Sequence, residues 1–294
     1  MSWWKRLKGK IKFFEPLAKH TTFKIGGKAE YFIEPKDTLD LKLILRYAKK
    51  YKKPIYLLGA GSNILVKDTD MKGIVVHLNS SFFKRVSFKD NLLEAGCGVK
   101  LNRIINEAYK RGLSGLEFLA GVPGTLGGAL MMNAGAFGKS IGELVEEVKV
   151  MDYNGNEKRL TLRDLKIGYR RLGLKDCVIL TACLRLNKKN KIKIKQTLVR
   201  YLKKRIATQE MLLPSAGCVF KNPSGKRSAG ELIDLCGLKG KRIGDAFVSL
   251  KHANFIVNLG RAKAKDVLGL MHLIRRKVKK RFKIDLEPEI KIWK

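Results

Sequence analysis

Acidic side chains are scarce in this sequence. Its 294 residues carry 26 Asp and Glu against 62 Lys and Arg, a formal net charge of +36. A balance so far from neutral predicts attraction to polyanions, so phosphate-bearing ligands should be drawn in. Cysteine is scarce too. Cys97, Cys177, Cys183, Cys218 and Cys236 form no C-x-x-C pair, which excludes an even disulfide framework and reads as the reduced thiols of a cytosolic protein. No metal is called for. Internal repeats and low-complexity linkers are missing, and so are the apolar core and cleavage site of an export signal. No RNA- or DNA-binding signature is present, and the basic residues are spread over the whole length instead of forming one arm or stripe. Nucleic acid is therefore not an expected partner.

Long apolar runs are limited to one. Phe118 to Gly138, "FLAGVPGTLGGALMMNAGAFG", has the length of a membrane span, but its six Gly, one Pro and an Asn make a loop-rich ligand site the expected reading. No span is expected. The start, "MSWWKRLKGKIKFF", sets Trp3, Trp4, Leu7, Ile11 and Phe14 near one helical face with lysines opposite. It reads as a short amphipathic helix packed on the body, with weak association with a membrane surface as the alternative.

A chain of this length is expected to form two or three domains. Strand-like runs alternate with helical ones in the first half: "YFIEP", "LDLKLILRYAKKY", "IYLLGAG", "NLLEAGCG" and "VKLNRIINEAYKRG". That pattern gives an α+β or α/β fold. Asn154-Gly155 between apolar-alternating arms predicts a surface hairpin. A basic helix over about Gln196 to Gln209 leads into the turn "LLPSAG", a plausible domain boundary. Ser228 and Glu231 have the spacing of a capping box before "LIDLCGL". "NFIVNLG" reads as a strand and about Lys265 to Lys280 as a long basic helix.

Two glycine-rich segments carry chemistry. "YLLGAGSNILV" runs from a strand through Gly59, Ala60, Gly61, Ser62 and Asn63 into a second strand. Its glycines allow positive φ and close approach, so successive N–H groups can cradle a phosphate, although this is not the G-x-G-x-x-G of a Rossmann site. The second segment, Gly112 to Gly138, is dominated by small residues where a core would need volume. Two such loops fit the pyrophosphate and ring of a dinucleotide cofactor. In "LLPSAGCVFKNPSG", Cys218 stands between a glycine and an apolar pair; it is either a small buried hydrophobe or a proton donor on a shaped backbone.

"HTTFKIGGKAEYFIEP", "LGAGSNILV", "GLSGLEFLAGVPGTLGGALMMNAGAFG", "GYR", "PSAGCVFKNP", "KHANFIVN" and "LEPEI" follow one another in the order found in the MurB family of UDP-N-acetylenolpyruvoylglucosamine reductases. The chain resembles that family from about Lys19 to Trp293. Any one motif is weak; seven in order are specific. The resemblance implies an α+β protein: an FAD-binding two-subdomain fold of the vanillyl-alcohol-oxidase/PCMH type plus a C-terminal substrate-binding α+β domain. The implied boundaries are 1–80 and 81–206 for the two FAD-binding subdomains and 207–282 for the substrate domain, with a tail, 283–294, returning to the active site. It also implies a cytoplasmic monomer that takes hydride from NADPH onto FAD and passes it to the enolpyruvyl ether of UDP-N-acetylglucosamine, giving UDP-N-acetylmuramate for peptidoglycan. The alternatives are another FAD oxidoreductase of the same fold and, more remotely, a basic nucleic-acid-binding protein.

Hydride attack on such an ether charges the neighbouring carboxylate, so the chemistry asks for a cation, an acidic group and a proton donor. The resemblance assigns these roles to Arg170 in "GYR", to Glu289 in "LEPEI" and to Cys218, with Glu287 as the fallback for Glu289. A planar guanidinium can donate two parallel hydrogen bonds to the carboxylate; a protonated Glu289 would need a pKa raised by burial. The thiol of Cys218, with an ordinary pKa of about 8.5, stands where the family commonly has serine. Gly59 to Asn63, Gly124, Thr125, Gly127, Gly128, Asn133, Ala134 and Gly135 are expected to bind FAD, and Asn222 and Tyr169 the substrate. Regular alternation would put Phe220 on the same side as Cys218 and Asn222, with Lys221 opposite. Two departures stand out: Leu172 where the family often has Ser, and Thr208 in "TQEM" where it often has a diphosphate-binding Lys, a contact that Lys204 or Arg205 can take over. Arg170 and Cys218 are only 48 positions apart, which leaves no room for the long loop of one subclass and implies the shorter, type II form.

Overall fold

The computed structural model describes residues 3–294. The chain divides into two compact units, each with its own apolar core. The first consists of the residues up to Phe13, Glu30–Ala60 and Lys72–Lys203; the second gathers Phe14–Ala29, Gly61–Met71 and Lys204–Lys294.

A four-stranded sheet has the order β1 (Lys10–Pro16), β2 (Lys28–Glu34), β5 (Met71–His77), β3 (Ile55–Leu58). β3 and β5 run parallel, and the connection from β2 to β3 is the helix α1, Thr38–Lys50. That helix starts where Asp37 accepts hydrogen bonds from the Leu39 and Asp40 N–H groups, a carboxylate cap at its positive end. It buries Leu41, Ile44, Leu45 and Ala48 at the spacing of one helical face.

A second, five-stranded antiparallel sheet of the first unit runs β12 (Glu157–Thr161), β11 (Val145–Asp152), β13 (Cys177–Arg185), β7 (Leu92–Gly96), β6 (Val86–Lys89). The β11–β12 hairpin turns at Asn154-Gly155 as expected. Gly155 has φ +80°, and Asp152 accepts from the Asn154 and Asn156 N–H groups. α2 (Leu101–Lys110) and the short α3 (Leu126–Met131) complete this core. Two-residue strands pair β8 (Leu113–Ser114) with β14 (Asn187–Lys188) and β9 (Gly135–Ala136) with β10 (Lys139–Ser140).

α4 (Lys191–Thr208) leads into the C-terminal part of the second unit. There the sheet order is β15 (Ser215–Cys218), β18 (Phe255–Asn258), β17 (Ala246–Val248), β16 (Arg242–Ile243), packed with α5 (Ala229–Leu235) and α6 (Ala264–Phe282). Ser228 and Glu231 form the expected capping box at the start of α5. The tail ends in β19 (Lys291–Trp293), which pairs in parallel with β4 (Ile64–Val66).

One reading of the sequence is corrected here. The N-terminal segment is not an amphipathic helix: Trp3–Arg6 is one 3-10 turn, and Ile11 and Phe14 lie on β1. The cause is tertiary. Asp40 accepts from the N–H groups of Lys8 and Gly9, and Trp3 stacks on Tyr47 at 3.9 Å, so sheet pairing and aromatic packing override the helical period. The first residues of "MSWW", Met1 and Ser2, lie outside the described residues. The apolar run 118–138 folds, as expected, into short pieces: a 3-10 turn, the six-residue α3 and β9. Among the described residues no helix is long and apolar enough to cross a membrane.

Candidate active site

In the first unit the two glycine-rich segments meet. A Cβ built on Gly59 would stand 2.7 Å from Thr125 Oγ1 and 3.9 Å from the Gly128 Cα, so only glycine permits this approach. Thr125 caps α3, accepting from Gly128 N–H. Gly127 donates to the Cys97 carbonyl and Leu126 to that of Val99. The N–H groups of Leu126 and Gly127 thus anchor the loop onto the continuation of β7. Their glycines serve close packing here, since a Cβ at Gly127 would lie 2.9 Å from that of Cys97. The residues that meet here, Gly59, Ala60, Thr125 and Gly128, carry small side chains or none, so a flat ring and a pyrophosphate can approach closely, which fits a flavin dinucleotide. Gly59→Val is expected to lower flavin retention, read as the flavin-to-protein absorbance ratio after purification, while the circular dichroism spectrum persists.

Arg170 sits on a two-residue turn closed by mutual backbone hydrogen bonds between Gly168 and Arg171, and its φ of +55° is left-handed. Non-glycine residues hold such a conformation where the surroundings fix it. Asn133 does so. Its amide, buried, donates to the Gly168 carbonyl at 3.0 Å and accepts from Gly142 N–H at 2.9 Å, tying the turn to the helix that follows β10. Arg170 itself donates to the Gly135 carbonyl at 3.0 Å and lies over the ring of the exposed Tyr169. Arg170, Tyr169, Asn133 and Gly135 are therefore one connected group, and Asn133 holds the arginine's turn. Leu172, the departure noted in the sequence, is fully buried and serves as core. Asn133→Ala leaves a buried N–H and carbonyl unpaired and should cost about 1–3 kcal/mol of unfolding free energy in urea.

In the second unit Cys218 ends β15. Ser215 faces Val257 but Cys218 faces Phe255, so one extra residue is inserted. Gly217, at φ +76° with open space around its Cβ position, supplies the left-handed residue of this bulge. The strand ends at Cys218, and the alternation expected beyond it does not hold. Val219 and Phe220 are both buried, and Phe220 bridges to Pro288 instead of sharing a side with Cys218 and the exposed Asn222. The buried Asn254 completes the clamp, since its side chain accepts from Phe220 N–H at 2.9 Å and donates to the Phe220 carbonyl at 2.8 Å, while its own carbonyl accepts from Val219 N–H. Asn254 lies in "KHANFIVN", but nothing in that local pattern marks it for this role.

Glu289 is brought to the same strand end. Its N–H donates to the Val219 carbonyl, and its carbonyl accepts from the Asn63 side chain at 3.3 Å. Lys291 N–H in turn donates to the Asn63 carbonyl. Cys218, Glu289 and Asn63 thus share one scaffold of backbone bonds. The Glu289 side chain is half-buried. Glu287, the alternative to Glu289, is largely exposed and ion-pairs with Lys221. The Asn222 side chain accepts from Ala229 N–H at 3.0 Å at the start of α5. Gly61, at φ +65°, accepts through its carbonyl from Thr22 N–H. Thr208 returns its hydroxyl to the Lys204 carbonyl, whereas Arg205 is buried. Burial pushes the Arg205 guanidinium pKa down, and the neighbouring Cys218 sulfur opposes that shift.

Burial pushes Cys97 up to about 12 and raises Cys177, Cys183 and Cys236 as well, which makes them poor acids and poor nucleophiles. Among the described residues no cluster of His, Cys, Asp and Glu is arranged to hold a metal ion.

The FAD binding domain family matches residues 29–161, and the C-terminal domain of UDP-N-acetylenolpyruvoylglucosamine reductase matches 208–293. UDP-N-acetylenolpyruvoylglucosamine reductase 2 of Symbiobacterium thermophilum is 42% identical over 287 residues, 97% of this chain and 92% of that one. The chain belongs to the UDP-N-acetylenolpyruvoylglucosamine reductase family. The reductase of Caldicellulosiruptor bescii is 44% identical over 94% of this chain and 88% of its own. The crystal structure of the Thermus caldophilus reductase (MurB) superposes with a TM-score of 0.83 at 35% identity, covering 98% of this chain and all of that one. Like that reductase, this family member is an α+β protein, here with an FAD-binding domain followed by the reductase C-terminal domain.

Proposed function

We propose that this chain is an oxidoreductase of peptidoglycan synthesis that reduces the enolpyruvyl ether of UDP-N-acetylglucosamine to UDP-N-acetylmuramate, with FAD as resident cofactor and NADPH as the source of electrons. One observation carries the reading: a single chain holds both the FAD-binding and the reductase C-terminal domain, and relatives that bear the reductase name match it along nearly their whole length. We read 1–80 and 81–206 as the two FAD-binding subdomains, 207–282 as the substrate domain and 283–294 as a tail returning to the site.

The 59–63 turn and the 124–135 segment would hold FAD, which would supply the hydride taken up by the terminal carbon of the enol ether. Negative charge then builds toward the substrate carboxylate, and Arg170 stabilises it with a guanidinium whose turn is already fixed by Asn133, so little reorganisation is needed. Cys218 gives its thiol proton to the carbon next to the carboxylate and recovers one from solvent. Glu289, as a neutral acid, hydrogen-bonds the developing charge. Asn222 and Tyr169 contact the UDP-sugar. We assign the reaction to the cytoplasm and to a monomer.

The test is steady-state NADPH oxidation by the purified, yellow protein. The reading requires turnover that depends on the enolpyruvyl UDP-sugar; NADPH oxidation indifferent to that sugar would point to another FAD oxidoreductase. The +36 charge adds a second expectation. If it steers two anionic substrates, kcat/KM falls as ionic strength rises, and a flat response would make the lysines surface only.

A further inference from the structure

The hairpin beside Arg170 closes on an unusual residue. In it Gly135 faces Ser140 and Ala136 faces Lys139, so Phe137 and Gly138 make up the whole turn between β9 and β10. Both have positive φ, +55° and +75°, the pattern of a type I′ turn. Asn-Gly is the pair such a turn favours, because the first position demands a left-handed residue, and a bulky phenylalanine holds it only where its surroundings fix it. Tyr201 of α4 supplies that. The two rings stack with centroids 4.3 Å apart and planes 8° from parallel. Tyr201 is itself half-buried against the core of the first unit, so it forms a fixed wall.

The same hairpin carries the carbonyl that Arg170 uses. Gly135 accepts from Arg170 Nη1 at 3.0 Å, and a Cβ on Gly135 would stand 3.5 Å from that nitrogen, so the guanidinium lies directly against the hairpin. Asn133 fixes the arginine's backbone turn but not the long side chain beyond it. A side chain with the rotamer freedom of arginine stays aimed only as well as its partner is held. The base of the hairpin is tied down at Ala134, whose N–H donates to the Ala129 carbonyl and whose carbonyl accepts from Ile141 N–H. The ring stack holds the other end.

We propose that Tyr201 is a positioning residue for the reduction: its stack with Phe137 holds the 135–140 hairpin so that the Gly135 carbonyl aims the Arg170 guanidinium at the substrate carboxylate. In naming that carboxylate, the assignment rests on the reaction proposed above. A stack that served the fold alone would affect both half-reactions together, whereas one that aims Arg170 affects the step in which the carboxylate is charged.

Stopped flow on the flavin-loaded protein tests this. Tyr201→Leu should pass hydride to the enol ether about tenfold more slowly, while reduction of the flavin by NADPH changes by less than about twofold. Tyr201→Phe keeps the stack and should keep the rate. Phe137→Asn gives the turn the residue it favours but no ring, and should lose as much as Tyr201→Leu; a normal rate would show that the turn alone holds Gly135 and overturn the proposal. In an Arg170→Ala background Tyr201→Leu should cost nothing further, because it acts through the guanidinium. The same loss in both backgrounds would leave only a structural role and overturn the proposal as well. Backbone hydrogen exchange reads the hairpin without any turnover. Across 134–141 it should quicken in Tyr201→Leu while β11 is unchanged, and no quickening there would overturn the proposal whatever the rates. Quickened exchange in a protein that ignores the enolpyruvyl sugar would instead strike the assigned reaction and leave the hairpin's dependence on Tyr201 standing.

Discussion

Cys218→Ala is expected to bind FAD and accept electrons from NADPH at close to the normal rate, yet to return them to the enolpyruvyl sugar about 10²- to 10⁴-fold more slowly, the range of a lost general acid. The two half-reactions separate because hydride transfer onto the flavin needs no proton from this thiol, whereas the carbanion-like centre left on the substrate does. Without a donor it returns its hydride. Cys218→Ser should keep activity at a lower rate, since a hydroxyl can donate from the same place but is the weaker acid. The backbone supports this reading. The bulge at Gly217 and the Asn254 clamp on Phe220 fix where the thiol stands, and neither depends on the thiol itself. Stopped-flow flavin absorbance resolves the two phases, and reoxidation of Cys218→Ala by substrate at the normal rate would make the thiol packing only.

Arg170→Ala should lower turnover on the enol ether by about 10²-fold or more, the scale of one lost contact to transition-state charge. Reduction by NADPH should suffer less, because no carboxylate is being charged in that step. The structure adds a control. Asn133 holds the arginine's turn through its buried side chain, so Asn133→Ala should lose stability first and activity through misplacement of Arg170. Rescue of Asn133→Ala by lower temperature, with Arg170→Ala not rescued, would separate positioning from chemistry. Equal losses in both half-reactions of Arg170→Ala would mean that the residue merely maintains the fold.

Local signals were legible in the sequence where the physics is local. The Asn154-Gly155 turn, the Ser228 and Glu231 capping box and the periodic helices α1, α2 and α6 all form as their residues prescribe. The failures lie where distant groups decide. The N-terminal period of 3.6 was overridden by Asp40, which collects two N–H groups from more than 30 residues away. Alternation through "CVF" fails because the strand ends at Cys218 and Val219 and Phe220 are both buried. Asn254 was missed as a clamp because its partner, Phe220, lies 34 positions earlier, and nothing in either local pattern pairs them. That the Asn133 side chain holds the Gly168 turn is visible only once Gly142 and Gly168 are brought together.

A single-turnover experiment tests the central claim most directly. The flavoprotein is reduced anaerobically with one equivalent of NADPH, freed of NADP⁺ and mixed with the enolpyruvyl ether of UDP-N-acetylglucosamine while flavin absorbance is followed and the product is weighed by mass spectrometry. The account predicts that the flavin reoxidises as the sugar gains two hydrogen atoms and becomes UDP-N-acetylmuramate, in equal amounts. A flavin that stays reduced in the presence of that sugar, but reoxidises with another acceptor, would contradict it.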